Sequence, residues 1–264
     1  MDFELKDKTA LVTGSTAGIG YAIAKTLTLE NVKVYLNGRS TERVNEAVKK
    51  LQQETGKTTI EGVAADFSKA EDVESLLAEI PEVDILINNV GIFEPKPFEK
   101  ITDIDWMKFF EVNVMSGIRL SRVYLQKMLD KNWGRIIFIS SESAINIPQE
   151  MIHYGMTKTA QLAVSRGLAE LTKGTNVTVN SVLPGPTLSE GVGGLIQDLA
   201  NKQSKSIEQV EDDFFKEIRP TSIIQRFTSP QEIANMVCFI SSPLSAGTNG
   251  AALRVDGGVV KSIM

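Results

Sequence analysis

The stretch "TALVTGSTAGIGYAIAKTL", residues 9–27, constrains this chain more than any other. A short run of β-favouring residues leads into glycines at 14, 18 and 20, and a helical pattern follows. Glycine permits a tight turn and lets a ligand approach the backbone N–H groups closely. A helix that begins at such a turn presents its positive end to an anion. Ser15 and Thr16 add hydroxyl donors, and Ile19 lies between the last two glycines. The strand before and the helix after are the context this motif requires, so Gly14, Gly18 and Gly20 read as a phosphate-binding turn. The competing reading is a plain strand-to-helix turn packed through Gly20.

The rest of the chain repeats the alternation. Strands are predicted at 9–13, 33–37, 59–64, 83–87, 135–140, 177–182 and 251–255. Helices are predicted at 19–29, 41–54, 69–79, 103–130, 151–172 and 230–241. Several strand runs are almost wholly apolar, which suits strands covered on both faces. The pattern predicts an α/β fold: a doubly wound parallel sheet of Rossmann type, about seven strands, in one domain over 1–264. Residues 188–225 break the rhythm with "GVGG" and "EQVEDDFFKEIR" and read as an insertion after the sixth strand. There Leu195, Ile196, Phe214 and Phe215 are expected to pack on the fold rather than face a ligand. A net charge of −5 argues against a nucleic-acid surface. The single cysteine, Cys238, excludes an internal disulfide and a cysteine-rich metal site, and reads as a core thiol. No metal site is expected. No apolar run reaches membrane-spanning length and the N-terminus lacks a signal-peptide pattern, so a cytoplasmic protein is expected.

Two further features carry chemistry. After the second strand comes "YLNGRS": the strand ends on Asn37 and Gly38, and Arg39 follows where a guanidinium would suit a phosphate. Tyr154 and Lys158 are four residues apart, which places them on one face of a helix. An ammonium there is expected to lower the phenol pKa toward neutrality. His153, the only histidine, points about 100° away from Tyr154 around the helix and reads as structural or pocket-rim.

"TGSTAGIG" at 13–20, "NNVG" at 88–91, Asn113 in "EVNVMSG", the serines of "RIIFISS", "YGMTK" at 154–158 and "PGPT" at 184–187 occur in an ordered series. Together with the closing "RVDGG" at 254–258, they make the chain resemble the short-chain dehydrogenase/reductase family along nearly its whole length. The resemblance implies a nicotinamide cofactor and hydride transfer between a carbonyl and an alcohol. It makes Tyr154 the general acid/base. Lys158 would tune Tyr154 and bond the nicotinamide ribose, and Ser141 would hold the substrate oxygen. Asn113 resembles the asparagine that bends its helix and anchors a water in the proton relay. Ser140 is expected to point away from the site, and Ser143 is a weaker alternative to Ser141. Asn88 and Gly91 would lie beside the cofactor ribose and support the sheet. Asp66, with Phe67, would meet the adenine. Pro184, Gly185 and Thr187 would meet the carboxamide.

Within this family an acidic residue at the end of the second strand goes with NAD, and a basic one a place later with NADP. Gly38 and Arg39 therefore favour NADP(H), with NAD(H) as the alternative, and Ser15 could add a bond to the same phosphate. Residues 188–225 fall where relatives carry a substrate lid. The chain resembles the bacterial 3-oxoacyl-carrier-protein reductase branch, but Asn132 and Thr175 stand where that branch presents basic residues. The expected partner is a small carbonyl or alcohol substrate, in a homotetramer or homodimer, without nucleic acid or membrane. The competing functions are a carrier-protein reductase proper, a nucleotide-binding regulator or scaffold without turnover, and a dehydratase or epimerase. The last usually needs a larger C-terminal domain.

Overall fold

All seven predicted strands form in the computed structural model, which describes residues 2–263 with the side chain of Leu195 left aside. They are β1 (Thr9–Val12), β2 (Lys33–Gly38), β3 (Ile60–Ala64), β4 (Ile85–Asn88), β5 (Gly134–Ile139), β6 (Val177–Pro184) and β7 (Ala252–Val255). All pair in parallel, in the order β3-β2-β1-β4-β5-β6-β7. Every residue of β4, β5 and β6 is buried, as a sheet covered on both faces requires. The strand order reverses between β1 and β4, and ligands of such sheets bind at that reversal, beyond the carboxyl ends of the strands.

The helices follow in chain order: α1 (Gly18–Leu29), α2 (Thr41–Thr55), α3 (Ala70–Glu79), α4 (Asp103–Phe110), α5 (Ser116–Asp130), α6 (Ile152–Glu170), α7 (Glu190–Gln203), α8 (Ile207–Asp213) and α9 (Pro230–Ser241). One face of the sheet packs Val12, Ile87 and Ile139 against Ile23 of α1 and Val237 of α9. The opposite face packs Leu11, Leu86 and Phe138 against Leu120 and Tyr124 of α5. Cys238 is buried in the first of these layers, and burial pushes its thiol up to about 12, as a core thiol requires.

The helix expected over 103–130 is interrupted. Residues Glu111–Met115 form a π-turn between α4 and α5, with Asn113 at its centre. A one-residue bulge of this kind leaves the surrounding apolar periodicity intact, and such bulges occur often at functional sites. The 188–225 insertion folds as α7, α8 and a short π-turn, Phe214–Ile218. Its own small core joins Ile196, Ala200, Val210, Phe215 and Phe227, with Phe214 packed against it. Ile196, Phe214 and Phe215 thus face the fold as expected, whereas the side chain of Leu195 lies outside the described residues.

Candidate active site

The glycine turn after β1 is built by backbone demands. Gly14 and Gly18 both have φ of +59°, a conformation that side chains disfavour. At Gly20 a Cβ would lie 2.5 Å from both the Asn89 side-chain amide and the Gly14 carbonyl. Asn89, from the loop after β4, donates to the carbonyls of Thr13 and Gly14 at 2.9 Å each. Its own N–H donates to Thr13 Oγ1 at 2.9 Å, so "NNVG" braces the turn from across the strand reversal. α1 begins at Ala17 with no side-chain cap and no acidic residue in its first turn. By contrast, α2, α4, α7, α8 and α9 are each capped by a serine or threonine. A cleft of about 260 Å³ opens there, lined by Ala17, Gly18, Ile19, Gly20 and Asn89, and by Ser189, Glu190 and Gly191 of the insertion.

Three expected cofactor residues face elsewhere. Ser15 is fully buried: its hydroxyl donates to the Val12 carbonyl at 2.6 Å and accepts from Asn37 N–H at 3.0 Å. This corrects the expected phosphate bond, since both hydrogen-bonding roles of that hydroxyl serve the β1–β2 packing. Asn88 turns to the α5 face, where its amide donates to Ser121 at 3.2 Å, and Asn89 takes the place at the turn. Phe67 is buried within the sheet core, which leaves only its main chain for a ligand. Thr16 lies against Gly38, where a Cβ would come within 2.5 Å of its methyl group. Arg39 is exposed, and its charge helps to hold the Asp66 carboxyl below the usual range. The main cause of that lowering is the Ser68 N–H, which donates to Asp66 Oδ1 at 3.0 Å.

Beyond β5 the chain brings Ser141, Tyr154 and Lys158 together. Ser140 turns away, its hydroxyl donating to the Lys158 carbonyl at 2.9 Å, and Ser141 lies near enough to the Tyr154 phenol to oppose the rise in its pKa. Ser141 also accepts from Ser143 N–H at 3.1 Å, and the Ser143 hydroxyl is turned to Glu142 at 3.2 Å. Burial pushes the Tyr154 phenol up to about 12; Ser141 opposes the rise and the Glu142 charge adds to it. Burial also pushes the Lys158 ammonium down to about 7. Lys158 is not among the causes of the Tyr154 shift. Lys158 Nζ turns to the Ile139 carbonyl at 2.9 Å and to Gln161 Oε1 at 3.3 Å, and lies 5.6 Å from the centre of the Tyr154 ring.

Gly91 closes the space beside Lys158, where a Cβ would sit 3.3 Å from Nζ. Asn113 is wholly buried. Its Oδ1 accepts from Ile92 N–H at 2.7 Å, and its amide donates to the Ile92 carbonyl at 3.0 Å and to Thr157 Oγ1 at 3.0 Å. Half-exposed Phe93 stands edge-on to Tyr154, with ring centres 6.3 Å apart. His153 is buried between α4 and α6, 4.0 Å from the Phe109 ring centre and 6.0 Å from that of Trp106. Neither of its ring nitrogens has a hydrogen-bond partner, so packing is its role.

After β6, the "PGPT" turn lies against the C-terminal segment. Gly185 N–H donates to the Val255 carbonyl at 3.0 Å, and a Cβ at Gly185 would come within 2.6 Å of the Asp256 carbonyl. Pro184 ends β6, and Thr187 donates to the Gly185 carbonyl at 2.9 Å while sharing a bond with Thr228 at 2.9 Å. The insertion is tied back over the site by Arg219. Its Nε meets Glu142 Oε1 at 3.1 Å and its Nη1 lies 3.5 Å from Glu150. Burial raises the Glu142 carboxyl above its usual range and Arg219 opposes the rise.

Asn89, Phe93, Gln161 and Arg219 were not among the expected site residues. Two of them had a sequence signal: Asn89 lies within "NNVG", and Gln161 follows Lys158 by three residues on the Tyr154–Lys158 face. Among the described residues no group of histidine, cysteine and carboxylate side chains could hold a metal ion, and no helix is long and apolar enough to cross a membrane.

Residues 8–200 match the family described as short chain dehydrogenase. The Bacillus subtilis protein named uncharacterized oxidoreductase YvaG is 52% identical over 263 residues, covering 100% of both chains. The 3-oxoacyl-[acyl-carrier-protein] reductase of Aquifex aeolicus is 31% identical over 98% of this chain and 100% of its own. Among solved structures, L-sorbose reductase from Gluconobacter frateurii complexed with NADPH and L-sorbose superposes with a TM-score of 0.92. It is 30% identical, over 100% of both chains.

Proposed function

The chain belongs to the short-chain dehydrogenase family, and on that footing we propose that it is an NADP(H)-dependent oxidoreductase of a carbonyl/alcohol pair, with Tyr154 as general acid and base. One observation carries this reading: Ser141, Tyr154 and Lys158 converge beside Gly91, next to the point where the strand order reverses. Bound there, the nicotinamide would supply or accept the hydride.

The residues present fit such a cofactor. The cleft of about 260 Å³ lined by Gly18 and Gly20 leaves room for a pyrophosphate, and the N–H groups at the start of α1 have no side-chain competitor. Thr16 would add a hydroxyl, Asp66 and the Phe67 main chain would meet the adenine, and Pro184, Gly185 and Thr187 would border the carboxamide. Arg39, exposed beside Asp66, supports a 2′-phosphate and so NADP(H) over NAD(H).

The chain's own residues divide the work of carbonyl reduction. Ser141 donates a hydrogen bond to the carbonyl oxygen and stabilises the charge that develops on it. The Tyr154 phenol, held protonated at neutral pH by burial, delivers its proton to that oxygen as the hydride arrives at carbon. Lys158 places positive charge beside the phenolate left behind and bonds the cofactor ribose. The site wall of Phe93, with the Arg219-tied insertion over it, orients the substrate and excludes water.

A carrier-protein substrate is not favoured. At the two positions where a basic residue would be needed, Asn132 accepts from Asn176 N–H at 3.0 Å and Thr175 donates to the Thr172 carbonyl at 2.7 Å, so both serve a local loop. A cytoplasmic homotetramer or homodimer remains our reading of the assembly, and exposed Ile104 and Met107 on α4 suit a buried contact. Light scattering on the eluted protein checks it. The function itself is tested by following NADPH oxidation with L-sorbose, other ketoses and a 3-oxoacyl thioester. Turnover that Tyr154→Phe abolishes supports it, and turnover that survives Tyr154→Phe overturns it.

A further inference from the structure

Gln161 lies one turn beyond Lys158 on the buried face of α6 and is 2% exposed. Its amide is used at both ends. Oε1 accepts from Lys158 Nζ at 3.3 Å, and Nε2 donates to the main-chain carbonyl of Asn113 at 2.5 Å. That carbonyl belongs to the π-turn Glu111–Met115, where a bulged backbone leaves a carbonyl without its ordinary helical partner. The Asn113 side chain is itself locked to Ile92 and to Thr157, and the Thr157 hydroxyl donates to the Tyr154 carbonyl at 2.7 Å. Tyr154, Thr157, Asn113, Gln161 and Lys158 thus lie along one hydrogen-bonded chain that runs from the Tyr154 main-chain carbonyl to the Lys158 ammonium.

We infer that Gln161 is a positioning residue for the proton chemistry, a fixed amide bridge that holds the Lys158 ammonium against the Asn113 carbonyl. The bond from Gln161 uses one of the two lone pairs of the Asn113 carbonyl, and the bond it accepts fixes the direction in which Lys158 Nζ donates. The inference rests on the proposed roles of Tyr154 and Lys158.

The groups that meet Lys158 are few. They are the Tyr154 ring and Gln161 on its own helix, the Ile139 carbonyl of β5, and Gly91 after β4. Across Gly91 stands the Asn113 amide oxygen. None of these is a carboxylate, so an acceptor on Lys158 has leverage over its charge.

The test uses the full-length protein labelled with ¹³Cε-lysine, with the Lys158 resonance assigned by its loss in Lys158→Met. Its titration is read without cofactor or substrate, and so stays readable if the proposed activity fails. Gln161→Leu removes the acceptor and is expected to move the Lys158 midpoint down by about one pH unit. Gln161→Glu places a carboxylate there and is expected to move it up by at least as much. In turnover, Gln161→Leu is expected to lower kcat on the order of ten- to a hundredfold, with the carbonyl KM little changed and the pH profile displaced in the same direction as the titration. Should Gln161→Leu fail to fold, Gln161→Met removes the same two bonds and carries the same expectation. A Lys158 midpoint that both variants leave in place, or move in one common direction together with a loss of thermal stability, overturns the inference. A Tyr154→Phe variant that still turns over would instead overturn the function beneath it, with the titration result untouched.

Discussion

Arg219→Met should cost stability in a pH-dependent way whose size follows from the site. Among the described residues Arg219 is the only cation on Glu142, 3.1 Å away, with the two side chains 11% and 4% exposed. Without it, Glu142 keeps the Ser143 hydroxyl on Oε1, and Oε2 has no partner. A buried carboxylate stripped of its partner costs about 3–5 kcal/mol. The carboxyl can escape by taking up a proton, which caps the electrostatic penalty. With an ordinary value of 4.5, that cap is about 3 kcal/mol at pH 7 and under about 1 kcal/mol at pH 5. The sign is that of an acid raised on folding: stability is fully present below pH 4.5 and is lost as pH rises, more steeply in the variant than in the parent. At roughly 2–4 °C per kcal/mol for a chain of this size, Arg219→Met should melt about 6–12 °C below the parent at pH 7 and within about 3 °C of it at pH 5. The assay is thermal melting at both pH values. Glu142→Gln/Arg219→Met removes both charges and should recover most of the pH 7 loss. A deficit that is absent at pH 7, or larger at pH 5 than at pH 7, would refute the reasoning.

Two other predictions test the cofactor and the lone histidine. Arg39→Ala should weaken NADPH roughly ten- to a hundredfold relative to NADH, the worth of a charged hydrogen bond to phosphate, read from kcat/KM or from thermal shifts with each cofactor. Burial holds the His153 imidazole below its usual 6.5, so the stability it permits is present above that pH and is lost as pH falls below it. His153→Leu should flatten that acid loss in melting curves and leave kcat unchanged, whereas a hundredfold fall in kcat would return the histidine to the chemistry.

Which parts of this molecule can be read from its sequence follows from physical range. Strands and their order of appearance are legible because runs such as "RIIFI" are apolar on both faces, a property local to a few residues. The glycine turn is legible because backbone geometry at Gly14 demands it. The π-turn around Asn113 is not, since one extra residue leaves the helical periodicity on either side unchanged. The fates of Ser15 and Asn88 were hidden for a related reason. Spacing places a residue at a turn but does not say which side of the sheet its side chain meets, and the partners that decide it, Asn37 and Ser121, lie 22 and 33 residues away. Helical spacing places Lys158 and Tyr154 on one face but reports neither burial nor a third group. Gln161, one turn further on, draws the ammonium aside.

The central claim is that Tyr154 exchanges the proton in an NADPH-linked carbonyl reduction. Its most direct measurement is single-turnover NADPH oxidation by the parent and by Tyr154→Phe on one ketone the parent accepts, with NADPH binding measured alongside. The account predicts NADPH bound by both proteins and a loss on the order of a hundredfold or more in the hydride step for Tyr154→Phe. Equal rates in the two proteins would contradict it.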